Sequence, residues 1–341
     1  MLTDKIAFRE PTIQLSHGAG GKASRRLIEG LLAPYFNMKD LNDAAYVQAD
    51  QAKIAFTADS FVVNPLRFPG GSIGELAING TVNDIAMSGA KPLAIVSTLI
   101  IEAGTETEIL EAEIKAMQEA AEKANVAIVG GDTKVVEHQK ADKLFITTAG
   151  IGLVDPRVNL SAGRVQKGDK IILSGPIGDH GITILFARGE LDLEADIKSD
   201  TRAVWPFVAK LIDAAAPGLK WMRDPTRGGM ATALNELARD AKVAIVLEEE
   251  AIQVRPEVRG ACEILGLDPM HIANEGQFIA VVSKEYADDA LKAIRQVPGG
   301  EQAAIIGEVH ESDRHIVLSR SSYGGTRAID MLVGDPLPRI C

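Results

Sequence analysis

The sequence predicts an α/β protein, with helices and strands in α+β layers, divided into two domains and ending in a flexible tail. Three observations predict it. The chain has 341 residues, beyond the usual size of a single domain. Runs of β-branched and apolar residues alternate with helical periodicity from end to end, the pattern of layered α/β or α+β folds. The last eight residues, Gly334 to Cys341, include Pro336 and Pro338. These fix φ and remove two backbone donors, so the stretch is neither helix interior nor central strand. The boundaries read as 1–157 for an N-terminal domain, 158–325 for a C-terminal α/β domain and 326–341 for the tail.

Lys and Arg number 36 against 47 Asp and Glu, a net charge of −11. That balance argues against nucleic acid or an anionic membrane as the main partner. It leaves room for a nucleotide, because a cation and a few local donors can reverse the field at one site. No run of about 18 apolar residues marks a membrane span. Residues 1–11 carry Asp4, Lys5, Arg9 and Glu10 and lack the apolar stretch of a signal peptide. The two cysteines, Cys262 and Cys341, are too few for a disulfide framework or a cysteine-rich zinc site. A reducing cytoplasm is the expected setting.

The N-terminal half opens with a glycine-rich loop, Ser16 to Lys22, before a helical pattern over 24–32. Gly20 and Gly21 let backbone N–H groups converge on an anion, and Lys22 adds charge. The loop is not a Walker A motif, because Ala23 stands where Ser or Thr is required. Without a preceding strand, a plain flexible loop remains an equal reading. Lys53 to Val63 reads as a strand bearing Asp59 near its end. Ser72 is a candidate N-cap for a helix running to Ser88 and closed by Gly89. Asp84 falls on that helix's apolar face, where a carboxylate is costly unless paired, metal-bound or held by backbone N–H groups. A strand over Lys91 to Ile101 follows. Thr105 and Glu108 form a capping box for a helix to Ala124. Val126 to Val129 reads as a buried strand opening into a Gly130-Gly131-Asp132 turn, and Leu144 to Val154 as the strand that closes this half.

The second half restarts with a strand at 169–173, a tight loop and a helix. Helices near 201–215 and 230–240 flank Asp224-Pro225-Thr226-Arg227-Gly228-Gly229, which sets an acid before a helix N-terminus. A strand at 243–247, a helix at 257–265, a strand at 277–283, a helix at 284–295 and strands at 303–308 and 314–318 complete it. Asp59, Asp84, Asp132 and Asp224 thus stand at strand ends, in turns or on a helix beside glycine or proline. Hard oxygen donors spread in this way, with Lys22 in a glycine loop, favour Mg²⁺ on nucleotide phosphates. The six histidines form no metal-binding pair, and Cys262 reads as a small core residue. Cys341 ends an arm that reaches roughly 26 Å at about 3.3 Å per residue. It is either a carrier thiol or an incidental terminus.

Together, Ala58 to Val62, Asn83 to Pro92, Gly130 to Thr133, Asp224 to Gly229 and Asn274-Glu275-Gly276 resemble the ATP-binding superfamily of aminoimidazole ribonucleotide synthetase. Selenophosphate synthetase and thiamine-monophosphate kinase belong to that superfamily, but the reactive residue usual in the former is missing near Lys22. The ending Pro338-Arg339-Ile340-Cys341 resembles the hydrogenase maturation branch, the HypE carbamoyl dehydratases. The likeness spans residue 12 to the end.

The resemblance implies an N-terminal domain that dimerises through its sheet, with ATP near the interface. It implies that the carbamoyltransferase HypF loads Cys341. ATP then drives dehydration of the thiocarbamate to a thiocyanate, and cyanide passes to iron on the HypC–HypD complex. Asp59, Asp84, Asp132 and Asp224 would hold Mg²⁺ and triphosphate, with Gly20, Gly21, Lys22 and Asn83 completing the ATP site. Phosphorylation turns the amide oxygen into a leaving group. Glu275 is the candidate base, and Lys134 the group that orients the substrate or relays a proton. Another ATP-dependent synthetase or kinase of the superfamily, or a non-catalytic adaptor, are the alternatives.

Overall fold

The computed structural model describes residues 8–18, 20–36, 41–189, 195–332, 334, 337 and 339–341. Pro336 and Pro338 lie outside them. In the N-terminal half the elements are α1 (Gly21–Leu27), continued by a π-helical turn at Ile28–Leu32, and α2 (Ala33–Phe36). They are followed by β1 (Ala45–Ala49), β2 (Ala52–Phe61), the short pair β3 (Arg67–Phe68) and β4 (Gly71–Ser72), α3 (Ile73–Met87), β5 (Ala90–Glu102), α4 (Thr107–Ala124), β6 (Ala127–Val136) and β7 (Leu144–Val154). The strands form a sheet ordered β1-β2-β7-β5-β6.

Side chains alternate across a strand, so this sheet has two unlike faces. Ala55, Thr57 and Phe61 are buried on the side covered by α3, while Phe56, Ala58 and Ser60 are exposed on the other. Phe56, Val96, Ile151 and Leu153 leave an apolar patch on that outer face.

Several expectations for this half need correction. Gly130-Gly131-Asp132 is not a turn but the middle of β6, which pairs in parallel with β5. Gly131 is required there because a Cβ would lie 1.7 Å from the Ser97 carbonyl oxygen. Nor is β6 buried: it is an exposed edge strand. The Thr105–Glu108 capping box does not form. The N-cap of α4 is Glu106, and the Thr105 hydroxyl donates to the Lys143 carbonyl at 3.1 Å. Ser72 caps α3 without a side-chain hydrogen bond; the buried Glu113 instead accepts the Gly74 N–H at 3.0 Å.

The C-terminal half runs β8 (Lys170–Leu173), α5 (Asp179–Ala187), α6 (Trp205–Ala215), β9 (Leu219–Arg223), α7 (Gly229–Ala241), β10 (Ala244–Glu248), α8 (Pro256–Leu265), β11 (Ile279–Val282), α9 (Ala287–Arg295), β12 (Ala304–His310), β13 (Val317–Arg320) and β14 (Thr326–Ile329). Its sheet is ordered β14-β13-β10-β12-β8-β11-β9. Alternate residues serve opposite faces. Ile171 and Leu173 meet Leu234 and Leu237 of α7, while Ile172 meets Leu211 of α6 and Ile294 of α9. Strands β1, β9 and β14 were not expected, and β14 occupies residues assigned to the tail. A third apolar cluster joins Phe61, Ile73 and Leu76 to Ile182 and Ile272, and takes in Leu337 and Ile340 of the tail.

Candidate active site

An open cavity of about 630 Å³ lies where the glycine loop, β2, α3 and the β9–α7 turn converge. Each element places its acid for a local reason. Asp59 is on the α3-facing side of β2, next to Thr57 in alternation. Asp84 projects from α3 toward that strand, and the Thr57 hydroxyl lies 2.8 Å from its Oδ2 and 2.9 Å from the Asp43 carbonyl oxygen. Asp224 follows β9 and precedes the start of α7, in a turn closed by Gly228 at φ 77°.

The third member of the tightest cluster is one that sequence reasoning missed. Asp43, Asp84 and Asp224 bring one carboxylate oxygen each to within 4.8 Å of one another. Asp43 precedes β1 in an unremarkable stretch; its nearest signal was an Asp-Ala-Ala step before a strand that was itself not expected. Arg223 braces it, with Nε 2.9 Å from Asp43 Oδ1 and Nη1 2.7 Å from Glu236 Oε2.

The electrostatics match a site built for a cation. Burial raises Asp43 to about 6, against the attraction of Arg223. Burial raises Asp84 well above the usual carboxylate range, and Asp59 and Asp224 add repulsion. Asp224 is raised in the same direction by burial and then by Asp43. Crowded carboxylates of this kind accept a hard divalent ion because it removes their mutual repulsion.

Glu275 is 3 % exposed, and its Oε1 has no hydrogen-bond partner. Burial raises its pKa well above the usual carboxylate range, and Asp224 and Asp200 raise it further. Its backbone N–H donates to Asp200 Oδ1 at 3.0 Å. Asn83 is buried beneath it rather than facing the cavity. Its amide donates to the carbonyls of Glu275 and Arg202 at 3.1 and 2.9 Å, and its Oδ1 accepts the Val204 N–H at 2.8 Å.

Gly20 and Gly21 line the cavity. Gly21 has φ 68°, and a Cβ there would lie 2.6 Å from the Leu332 carbonyl oxygen. Lys22 turns away, its ammonium 2.6 Å from Asp330 Oδ2. Asp132 and Lys134 are 2.5 Å apart on β6. Asp132 is in register with Thr98, Thr147 and Ser60 across the sheet, and so lies on its outer face. Three strand spacings, roughly 14 Å, separate it from Ser60. Within one chain it therefore does not join the other acids.

The tail is folded inward. The Val62 N–H, just past β2, donates to the Cys341 carbonyl at 3.0 Å. Arg227 lines the cavity, and its pKa is raised first by the negative charge of Cys341, then by Asp59, Glu275 and Asp84. One guanidinium thus feels both the chain's last residue and the acids. Sequence reasoning missed Arg227 as well, although it lies inside the Asp224-Pro225-Thr226-Arg227 turn.

Two family models match the chain: the N-terminal domain of AIR synthase related proteins over 41–154 and their C-terminal domain over 166–319. The chain is 46 % identical to the "Carbamoyl dehydratase HypE" of Bradyrhizobium diazoefficiens over 340 residues, 99 % of this chain and 98 % of that one. The chain belongs to the HypE family. Two solved structures extend the likeness to the fold. One is a HypE–HypF complex, with a TM-score of 0.85 and 42 % identity, covering 90 % of this chain and 99 % of that one. The other is a HypE in complex with ATP, with a TM-score of 0.81 and 42 % identity, covering 97 % and 100 %. Among the described residues no helix is long and apolar enough to cross a membrane.

Proposed function

We propose that the chain is an ATP-dependent carbamoyl dehydratase whose substrate is an S-carbamoyl group on its own Cys341. The observation that carries the reading is the position of that residue: bonded to Val62, just past the strand of Asp59, and near enough for its charge to act on Arg227, which lines the acidic cavity. The relatives named carbamoyl dehydratase and the related ATP complex support it.

Asp43, Asp84 and Asp224, with Asp59 beside them, would hold Mg²⁺, which when bound neutralises the triphosphate and the charge that develops in phosphoryl transfer. The glycine loop at Gly20 and Gly21 offers backbone donors to the phosphates, and Lys22 joins them by exchanging Asp330 for phosphate. Arg227 faces the transferred charge. The carbamoyl oxygen takes the γ-phosphoryl group and ADP leaves. Glu275 removes N–H protons, the C–O bond breaks, and phosphate departs to leave the S-cyanate. A base at Glu275 is typically worth about 10²–10⁴ in rate. Its raised pKa makes it a stronger base than a solvent-exposed carboxylate. Asn83 acts from beneath, by fixing the backbone of Glu275.

A second copy of the chain completes the site. The apolar outer face of the N-terminal sheet pairs with its twin, and Asp132 and Lys134 on that face serve the partner's cavity. The proposed division is 1–157, 158–325 and a tail over 326–341, although β14 within the tail range pairs with β13 of the second sheet. HypF is the carbamoyl donor, a HypC–HypD complex takes the cyanide to iron, and the cytoplasm is the compartment.

Intact mass of the full-length protein, incubated with HypF, carbamoyl phosphate and Mg-ATP, tests the reading. Cys341 should gain a carbamoyl group and then lose water, and Cys341→Ala should do neither. Loading without water loss in the presence of ATP would overturn the dehydratase; full maturation activity of Cys341→Ala would overturn the carrier.

A further inference from the structure

The last three backbone carbonyls of the chain are each held by a different donor. Arg188 donates to Arg339 at 2.8 Å, His180 Nε2 to Ile340 at 2.7 Å, and the Val62 N–H to Cys341 at 3.0 Å. Arg339 returns two bonds to the Val62 carbonyl, at 3.2 and 3.1 Å, and has a positive φ of 56°. The Ile340 side chain is 2 % exposed. Of these donors, His180 is the one wholly inside the protein, at the start of α5.

We propose that His180 is a positioning residue: its Nε2–H clamps the Ile340 carbonyl and thereby holds Cys341 beside Val62, within the field of Arg227 at the acidic cavity. The proposal rests on the reading of Cys341 as substrate and adds the residue that presents it.

The hydrogen-bond partners fix the tautomer. A carbonyl oxygen only accepts, so Nε2 must carry the proton. Nδ1 then accepts from the Ser199 hydroxyl, at 2.8 Å. That hydroxyl in turn accepts the Thr201 N–H at 3.1 Å. The chain Thr201–Ser199–His180–Ile340 leaves the ring no alternative proton placement in its neutral form. Burial pushes His180 down to about 4, the Ile340 carbonyl opposing, so that form is the one present. Phe68 meets the ring edge-on at 5.6 Å between centroids and fixes its plane. The contact recognises backbone alone, so it is unaffected by what Cys341 carries on sulfur.

Carboxypeptidase digestion of the full chain, without nucleotide or loading enzyme, reads the clamp directly. The protease needs the last residues detached, so release of Ile340 and Cys341 follows the open fraction of the tail. His180→Phe keeps ring volume and the Phe68 contact but removes the donor. It should release those residues about five- to tenfold faster, the loss of the bond to Ile340, under conditions where urea unfolding shows each variant still folded. His180→Gln, which restores an N–H donor, should stay near the wild-type rate. Equal rates for His180→Phe and wild type, or equal acceleration by both variants, would overturn the proposal. Should His180→Phe fail to fold, Ser199→Ala decides: release faster than wild type upholds the clamp and an unchanged rate overturns it. Because no dehydration chemistry takes part, failure of the mass experiment above and failure of this one are separate results.

Discussion

Replacing Asp43 by Asn separates what the acid cluster costs the fold from what it does. Burial lifts the Asp43 carboxyl from 3.8 to about 6, even with Arg223 pulling the other way. Between those values the native protein keeps a proton that the unfolded chain has lost. The native state is the one with more protons, so stability falls as pH rises through this window and the full cost is carried above it. About two pKa units at 1.36 kcal/mol each give about 3 kcal/mol. Asn keeps the shape but gives up the ion pair with Arg223, whose Nε lies 2.9 Å from Asp43 Oδ1, while Arg223 keeps its bonds to Glu236 and to the Leu41 carbonyl. Urea unfolding in EDTA at pH 8 should therefore find Asp43→Asn more stable by up to about 3 kcal/mol, with roughly half of that gain left at pH 5. In magnesium at about a hundred times its dissociation constant, wild type should recover about 2.7 kcal/mol and the variant clearly less. A variant less stable than wild type in EDTA at pH 8, or equal stabilisation of both by magnesium, would refute the argument that these carboxylates are crowded for a cation.

Glu275→Gln should keep ATP affinity and carbamoyl loading while water loss from Cys341 slows by about 10²–10⁴, measured by time-resolved intact mass. Asn83→Ala strands the Val204 N–H and weakens two carbonyl contacts; urea unfolding should show a loss of about 3 kcal/mol. Phe56→Glu sets a charge in the apolar outer face of the N-terminal sheet, and sedimentation should then find a monomer where wild type is a dimer; a persistent dimer would place the interface elsewhere.

What was legible in the sequence was the part that leaves a periodic trace. The strand of Asp59, the helix of Asp84 and the turn of Asp224 all read correctly, because alternation, a 3.6-residue period and a Gly-Gly step are local signals. The Gly130-Gly131 pair misled for the same reason: two glycines read as a turn, yet Gly131 is there because a neighbouring strand's carbonyl leaves no room for a Cβ. That is a tertiary cause with no local trace. Asp43 was invisible because β1, the strand it leads into, is a short edge strand with little burial. Asp132 shows a further limit. Its residue type suits a metal, but only the register across four strands reveals that it lies on the face opposite Asp59.

The tail carries the same lesson into energetics. Its prolines and terminal thiol suggested a free arm, but Leu337 and Ile340 are 3 % and 2 % exposed within an apolar cluster that both halves of the chain build. Two such side chains contribute about 3–6 kcal/mol in burial, before the three carbonyl bonds are counted. At 1.4 kcal/mol per factor of ten, that burial favours the inward state by roughly 10²–10⁴ before the entropy of ordering the segment, about 1–2 kcal/mol per residue, is set against it. A loading partner that needs the thiol outside must bind the released tail tightly enough to offset that preference. If Cys341 carries the group as proposed, the same contacts would draw the tail back beside Val62 once the partner lets go. Transfer between two sites then requires only competition for one short peptide, and the direction of travel is set by who holds its carbonyls.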